Sequence, residues 1–540
     1  MMFLSDAEIW NYRTFRHVTL SFDAHVNYMV GDSRIGKSNF LALLDTIFAG
    51  RGFPEKDFLD ASEPIRVILT FSSANGVKKA RVLVSQDVRQ VAVRLSYADT
   101  GEVLPPEEIR RVLFVPYSME HAMRRDQTPE YLSLLGDCFR EALSGDPEEL
   151  SDWERLFANF GISVKLTDAA DAAAFRFLQA VYEPNEETGP GMGDVQTMMA
   201  AAAFLLTEIY RRKKSRAVPF SDMVITHPDG KRVLPLLVGI DEPELRLHPF
   251  RQRSVLSFLH KLLHNEEPVF LRLLQKVLGV DGLSGQIFVV THSTDALVND
   301  YRKIIRLYWA GDQKVAAACG VRFRFGAEIE KHLIMHFPEV KEALFGRAAL
   351  LVEGETEYGS FPYFAQAMGE SFDFHGISLI NARGETSIAR IAELLKRFHV
   401  PVISLYDRDV SEGRRGKADV FFTDYICYEM DVARHLLPAR RKTLDAAIRE
   451  AADGETYVPG SLVKKAAGKL DVSRKDFPPR NLPAVPAGDT EALCFYYFAW
   501  LYGNKGVITG RALGMTLTES EIPPVFKKVI RAAVEASKRR

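Results

Sequence analysis

The sequence predicts an α/β protein of several domains. A strand–loop–helix domain carries a helical insertion, a second Rossmann-like α/β block follows, and the carboxy-terminal region is helical. Three observations predict this. The glycine-containing loop "GDSRIGKS", Gly31 to Ser38, lies between an apolar strand-like run and an amphipathic one. The runs "LPLLVGIDEPE" and "GQIFVVTHS" each end abruptly in charged or polar residues. From "RAALLVEGETE" to "VPVISLYDRDV", strand-like runs alternate with helical periodicity, and both outer strands end in carboxylates. At 540 residues the chain is too long for one core and suggests two to four domains.

Taken in order, "HVNYMV" reads as a strand and "KSNFLALLDTIF" as a helix, because Phe40, Leu41, Leu44, Ile47 and Phe48 recur at helical spacing. "PIRVILTF" and "RVLFVPY" are further strands, and strand and helix patterns are expected to alternate through the first third. Residues 121–190 turn helical and polar and end in the loop-rich "YEPNEETGPGMGD". "FPYFAQAM" and "IARIAELLKRF" are the helices of the second block. Beyond about residue 440 helical patterns dominate, joined by the proline-rich "FPPRNLPAVPAG". The four cysteines, Cys138, Cys319, Cys427 and Cys494, form no CxxC and have no metal-ligand spacing, so each is expected to be a reduced, buried small hydrophobe. "MMAAAAFLL" (198–206) is too short to span a bilayer, and the amino-terminal segment lacks a basic n-region, so a cytoplasmic protein without membrane association is expected.

Gly31, Asp32, Ser33, Arg34, Ile35, Gly36, Lys37 and Ser38 fit G-x-x-x-x-G-K-[ST] in the strand-to-helix context that this pattern requires. Glycine lets the loop curl so that backbone N–H groups face phosphate oxygens, and the helix N-terminus adds partial positive charge. Lys37 is expected to reach the β- and γ-phosphates of ATP, and Ser38 to ligate Mg²⁺. Asp241 supplies the second acidic ligand and Glu242 the base that polarises water; a plain helix cap is the alternative for Asp-Glu-Pro. His292, at the end of a third strand, is placed to sense the γ-phosphate, against the alternative of a structural histidine.

The second block raises a different question, since a strand there empties into Glu353, Glu355 and Glu357. Some fifty residues on, another strand ends in Asp407 and Asp409, which as residues two apart would face one way while Arg408 points elsewhere. Open α/β sheets place ligands at such carboxyl ends. Carboxylates converging without a cation repel one another, whereas one or two divalent ions relieve the repulsion, and all-oxygen ligands select Mg²⁺ or Mn²⁺. Two such ions about 3.5–4 Å apart form the clamp that cleaves phosphodiesters. Glu355 is assigned to solvent.

The first set of motifs resembles the ABC-type ATPase head of the RecF and SMC-like group. In that group a signature loop from a second subunit caps the nucleotide. Its counterpart here is "GPGMGDVQ", in which Gly193 and Gln196 precede a helical run; a linker is the alternative. The resemblance implies a homodimer or higher homo-oligomer. The glutamate with Asp-x-Asp resembles a TOPRIM domain in its E-x-x-x-E nuclease form, and TOPRIM behind an ABC-type head resembles the OLD (overcoming lysogenisation defect) family. That resemblance implies ATPase-coupled, metal-dependent nucleases, several of them in phage defence. It also implies Glu429 in "DYICYEMDVARHLL" as a further metal ligand, and Lys505 in "YGNKGVITGRALG" as the cation that steadies the scissile phosphate. The expected domains are 1–120 and 191–345 for the two parts of the ATPase, 121–190 for an insertion with a dimerisation role, 346–440 for TOPRIM and 441–540 for the helical region.

Charge fits a DNA substrate without demanding it. The whole chain has 69 Lys and Arg against 71 Asp and Glu, while residues 411–540 have 22 against 16, a net of +6. "SEGRRGK" directly follows the aspartate pair and the chain ends "SKRR". The reading is an ATP-regulated DNA endonuclease or nickase with two ions in the carboxylate site and one with ATP, in phage defence beside a neighbouring-gene partner or in DNA processing. The rival is a non-cutting RecF-like or SMC-like DNA-bound ATPase in repair. A topoisomerase would need a nucleophilic tyrosine, but Tyr496, Tyr497 and Tyr502 lie in an apolar helix that reads as core.

Overall fold

In a computed structural model of the chain, the described residues are 2–73, 79–117, 129–143 and 192–538, apart from 216–217, 228, 246, 298, 312–313, 328–329, 331–339, 411–418 and 453. Most of the expected 121–190 insertion, "SEGRRGK" and the last two residues of "SKRR" lie outside them. The chain forms two compact units, Met1–Phe323 and Arg324–Arg540.

The first unit is built on two sheets. Strands β1 (Met2–Tyr12), β2 (Phe15–Ser21), β4 (Ile65–Ser73), β5 (Lys79–Gln86), β6 (Arg94–Tyr97) and β7 (Val103–Leu104) form an antiparallel sheet in the order β2-β1-β4-β5-β6-β7. The expected strand–helix alternation through the first third is therefore corrected. Among described residues up to Tyr117, α1 (Lys37–Phe48) is the one α-helix, and antiparallel strands account for most of the remaining regular structure. The cause is visible in β1 and β4, where Leu4, Ala7 and Ile9, then Ile65, Val67 and Leu69, bury one face at a spacing near two.

The second sheet runs β13-β12-β3-β11-β10-β8. Strands β3 (Val26–Gly31), β8 (Leu113–Tyr117), β10 (Arg232–Asp241), β11 (Gly282–Val290) and β12 (Ile304–Ala310) are parallel. β13 (Lys314–Cys319) pairs antiparallel with β12, and the short β9 (Ile225–Thr226) with β10. Gln286 on β11 ties the sheets together, since its buried amide bonds Leu4 N, Leu4 O and Asp23 O at 2.8–3.0 Å. Helices α2 (Pro129–Leu143), α3 (Met192–Lys214) and α4 (Pro249–Leu263) are the longer ones that follow, beside the short helices Phe220–Met223 and Pro268–Leu273 and the π-helical turn Leu274–Leu278. The "MMAAAAFLL" run lies inside α3, and among the described residues no helix is long and apolar enough to cross a membrane. All four cysteines are free thiols and buried.

In the second unit β14 (Ala348–Val352), β15 (Ile377–Asn381), β16 (Val402–Tyr406) and β17 (Val420–Phe422) form a parallel sheet in the order β15-β14-β16-β17. β14 and β16 are buried throughout, as parallel strands covered on both faces must be. Helix α5 (Glu355–Ala367) leads from β14 to β15, and α6 (Glu385–Arg397) leads back across to β16. The strand order thus reverses between β14 and β16, which opens a crevice at their carboxyl ends.

Six further helices share one hydrophobic core with this sheet: α7 (Tyr428–Leu436), α8 (Arg441–Ala451), α9 (Gly460–Leu470), α10 (Thr490–Gly503), α11 (Val507–Thr516) and α12 (Pro524–Lys538). Tyr428 stacks on Phe526 of α12 at 4.7 Å. α10 is buried on nearly every side, and Tyr496 and Tyr497 are spent on structure. Tyr496 donates to Pro478 O (2.7 Å), and Arg441 donates to the Tyr497 hydroxyl (2.9 Å).

Candidate functional sites: a nucleotide loop and a carboxylate pocket

The nucleotide loop joins β3 to α1, with β12 on one side of it. A Cβ on Gly31 (φ +135°) would fall 2.3 Å from Leu307 O, and Gly36 (φ +107°) abuts Thr14 as tightly, so both positions require glycine. Arg34 is exposed and left-handed, with φ 62°. Lys37 is 4% exposed and donates to Gly31 O (3.0 Å) and Asp32 O (2.9 Å), carbonyls at the head of the loop. Burial pulls its ammonium pKa down, and Asp32 and Asp241 oppose that pull.

Strand β11 separates β3 from β10, yet the loop and the β10 end meet, because the Ser38 hydroxyl donates to Asp241 Oδ1 at 3.1 Å. Burial raises the Asp241 pKa. Glu242 takes φ 48°, rare for a side chain of its kind, while its N–H donates to Val290 O (2.8 Å). Its carboxylate faces His292 Nε2 at 3.7 Å. Sequence reasoning missed Glu244, which accepts from the Thr291 hydroxyl (2.8 Å) and the His292 N–H (2.6 Å) and so joins the two strand ends. Its only signal was its position two residues beyond Glu242. Gly193 and Gln196 do not precede the helical run as expected. α3 already begins at Met192, so both lie in its first turns.

The carboxylate pocket, of about 350 Å³, opens at the β14–β16 crevice. Glu353, Glu355, Glu357, Asp407, Glu429 and Lys505 line it, with Thr356 and three glycines. Glu353 follows β14, and its Oε2 accepts the Asp407 N–H (3.4 Å). Glu357, in the first turn of α5, folds back over Gly354 and is 5% exposed. Asp407 follows β16 and accepts the Tyr428 N–H at 3.2 Å; Glu429 comes from the first turn of α7. Glu355 is exposed, as expected, but sits on the pocket wall.

Asp409 departs from the expectation. β16 ends at Tyr406, so the alternation that was to align Asp407 with Asp409 never applies. Asp409 lies on a 3₁₀ turn, does not line the pocket, and pairs with Lys469 of α9. Arg408 does point elsewhere, to Thr423 O at 3.0 Å.

Burial pushes the Glu357 carboxyl up to about 8, and Glu429 adds to this. Burial, then Glu357 and Glu429, push Asp407 up to about 9. Glu353 is raised by burial, with Asp409 and Glu385 contributing. Burial alone would lower the Lys505 ammonium, but Glu429, Asp407 and Glu357 outweigh it and hold Lys505 charged. Carboxylates in this state hold a proton or a cation in preference to bare charge, and their hard oxygens suit Mg²⁺ or Mn²⁺. They line the walls without closing: among the described residues no group of three His, Cys, Asp or Glu has the spacing of a formed metal cage.

Two further residues escaped the sequence. Thr356 accepts the Gly506 N–H (3.1 Å) and donates to Glu429 Oε1 (3.4 Å), linking the Lys505 loop to a carboxylate. Glu385 begins α6 beside the pocket glycine Gly384, in a Gly-Glu-Thr that repeats Gly354-Glu355-Thr356.

Comparison with known proteins defines the class first. Residues 199–299 match the family model "AAA domain, putative AbiEii toxin, Type IV TA system", a span that holds Asp241, Glu242 and His292. Residues 344–409 match "Overcoming lysogenization defect protein-like, TOPRIM domain", a span that holds Glu353, Glu357, Asp407 and Asp409. The chain thus pairs an AAA-type ATPase domain with an OLD-like TOPRIM domain, in the α/β architecture expected. Among solved structures it is similar to the recombination mediator RecF bound to an ATP analogue (15% identity, 58% of this chain and 98% of that one, TM-score 0.32). It is also similar to the Smc head domain of Pyrococcus furiosus (13%, 62% and 100%, 0.32). A third likeness is to the carboxy-terminal region of the Burkholderia pseudomallei OLD protein (18%, 36% and 99%, 0.25). No curated protein matches the chain.

Proposed function

We propose that the chain is an ATP-binding and ATP-hydrolysing, divalent-metal-dependent DNA endonuclease. It acts in the cytoplasm, in phage defence or DNA processing, as a homodimer joined through its ATPase half. The observation that carries this reading is the convergence of Glu353, Glu357, Asp407 and Glu429 with Lys505 on one pocket at a strand-order reversal. Glu353, Glu357, Asp407 and Glu429 would hold the ions, and Asp409 would flank them. Bound there, two Mg²⁺ or Mn²⁺ ions would supply an activated water and stabilise the leaving oxygen. Lys505 meets the charge that develops on the phosphate. In the ATPase domain Lys37 and the loop amides hold the phosphates, Ser38 and Asp241 hold Mg²⁺, Glu242 orients water, and His292 faces Glu242. Gly193 and Gln196 would reach the nucleotide of a second copy.

The test is purified protein with supercoiled and linear DNA, Mg²⁺ or Mn²⁺, with and without ATP. Nicking or cleavage is expected, and Glu353→Ala should lower it at least a hundredfold while ATP binding stays intact. Retained cleavage in that variant removes the site. The rival is a non-cutting DNA-bound ATPase. Wild-type protein that hydrolyses ATP but leaves all DNA uncut would establish that rival.

A further inference from the structure

Three ammonium groups surround one aromatic ring at the mouth of the carboxylate pocket. Lys465 and Lys469 lie one turn apart on α9, 4.9 and 5.9 Å from the centre of the Tyr502 ring. Lys505 approaches the same ring to 5.0 Å. α9 and α10 are pressed together here, since a Cβ on Gly503 would fall 2.4 Å from a Leu462 methyl. The three cations are answered unequally. Lys505 faces the pocket carboxylates, and Lys469 pairs with Asp409. Lys465, largely exposed, has only the Tyr502 carbonyl oxygen at 3.5 Å and makes no ion pair among the described residues.

Like charges gathered around one ring repel, and a bound polyanion removes that cost. The ring face offsets part of it. The row begins at the pocket with Lys505 and leads away over Tyr502 to α9, as a strand with one phosphate in the pocket would run. An acidic protein segment would satisfy the lysines equally but gives no reason for the row to start at a phosphodiester-type pocket.

We infer that Lys465, Lys469 and Tyr502 form a docking track for the phosphodiester backbone of a nucleic-acid strand whose next phosphate lies at Lys505. Asp409 orients Lys469 within it. The track rests on the nuclease reading above for the identity of its polyanion.

The experiment uses the full chain and a fluorescein-labelled oligonucleotide, single-stranded and duplex, with Ca²⁺ replacing Mn²⁺ so that binding is read without turnover. Anisotropy is followed across a potassium chloride series. Lys465→Ala and Lys469→Ala should each lower the magnitude of the log Kd against log salt slope by about 0.7 for single strands or about 0.9 for duplex. Affinity should fall several-fold. Lys464→Ala, exposed on the same helix and about 100° around it from Lys465, should leave the slope as in wild type. The track is overturned if Lys465→Ala keeps the wild-type slope, if Lys464→Ala lowers it equally, or if the wild type does not bind the oligonucleotide. It is also overturned if inorganic phosphate or an acidic peptide competes as well as the oligonucleotide does. Wild-type cleavage in Mn²⁺ is scored separately. Slope changes without cleavage retire the nuclease reading alone, and cleavage with unchanged slopes retires the track alone.

Discussion

Glu357 and Asp407 are carboxylates that the fold has made poor at being carboxylates, and such groups stand where binding outranks stability. A second cluster of titrating groups has no such role in the reading above. His264 donates through Nδ1 to His260 O (2.8 Å), meets His25 through Nε2 (2.5 Å), and stacks on the His260 ring at 4.0 Å. Burial, then His264 and Lys303, lower His260 to about 4, and His25 is lowered for similar reasons. With folded pKa values below the unfolded 6.5, these groups bind fewer protons when folded. Their stabilisation is complete above pH 6.5 and is lost as pH falls toward 4. Urea melts at pH 7 and pH 4.5 should show wild type losing more than His260→Gln, by about 1–2 kcal/mol once partial exposure is discounted. Equal losses would mean that His260 takes up its proton in the folded chain as readily as in the unfolded one.

At the scale of elements, the pocket depends on how closely α5 and α11 approach. A Cβ on Gly510 would fall 2.1 Å from Thr356 O, and one on Gly359 2.4 Å from Val507 O. Backbone-to-backbone contact is what brings Gly506 and Lys505 over the first turn of α5, where Glu357 and Thr356 sit. Gly510→Ala should therefore cost about 1–3 kcal/mol of overpacking and cut metal-dependent cleavage, although it alters no charged group. Gly468→Ala on α9 meets open space and should raise stability by about 0.5–1 kcal/mol, as alanine does in a helix interior. Thermal melts of the pair, beside cleavage rates, separate close approach from propensity. Intact cleavage in Gly510→Ala would show that the loop bearing Lys505 holds its place by other contacts.

At the scale of the molecule, the two centres lie in different compact units with separate hydrophobic cores. Ligation at one should survive damage to the other. Lys37→Ala is expected to lose the thermal shift produced by ATP with Mg²⁺, and to keep the shift produced by Mn²⁺ alone. Loss of both shifts would refute independent sites. Because Lys37 is 4% exposed and held by two loop carbonyls, Lys37→Arg serves as a second variant should alanine unfold the loop.

The local patterns were legible because they act over a few residues. A glycine loop between strand and helix, an apolar strand ending in acid, and helical periodicity in α1 and α6 each depend on neighbours in the chain. The antiparallel sheet of the first unit was not legible. Strand pairing is a long-range choice, and short apolar runs fit more than one partner. The carboxylates could be named from the sequence, but their grouping could not. Glu429 and Lys505 reach the pocket only because α7 and α11 pack against other helices of the shared core, α11 backbone to backbone on α5, and Asp409 leaves it because β16 ends at Tyr406, before Asp407. What the residues determined by themselves was the chemistry on offer, phosphate-binding amides and hard oxygen ligands. Which of them meet, how deeply they are buried and which lysine answers which acid was decided by tertiary packing, because those energies depend on distance and desolvation and neither exists along a chain.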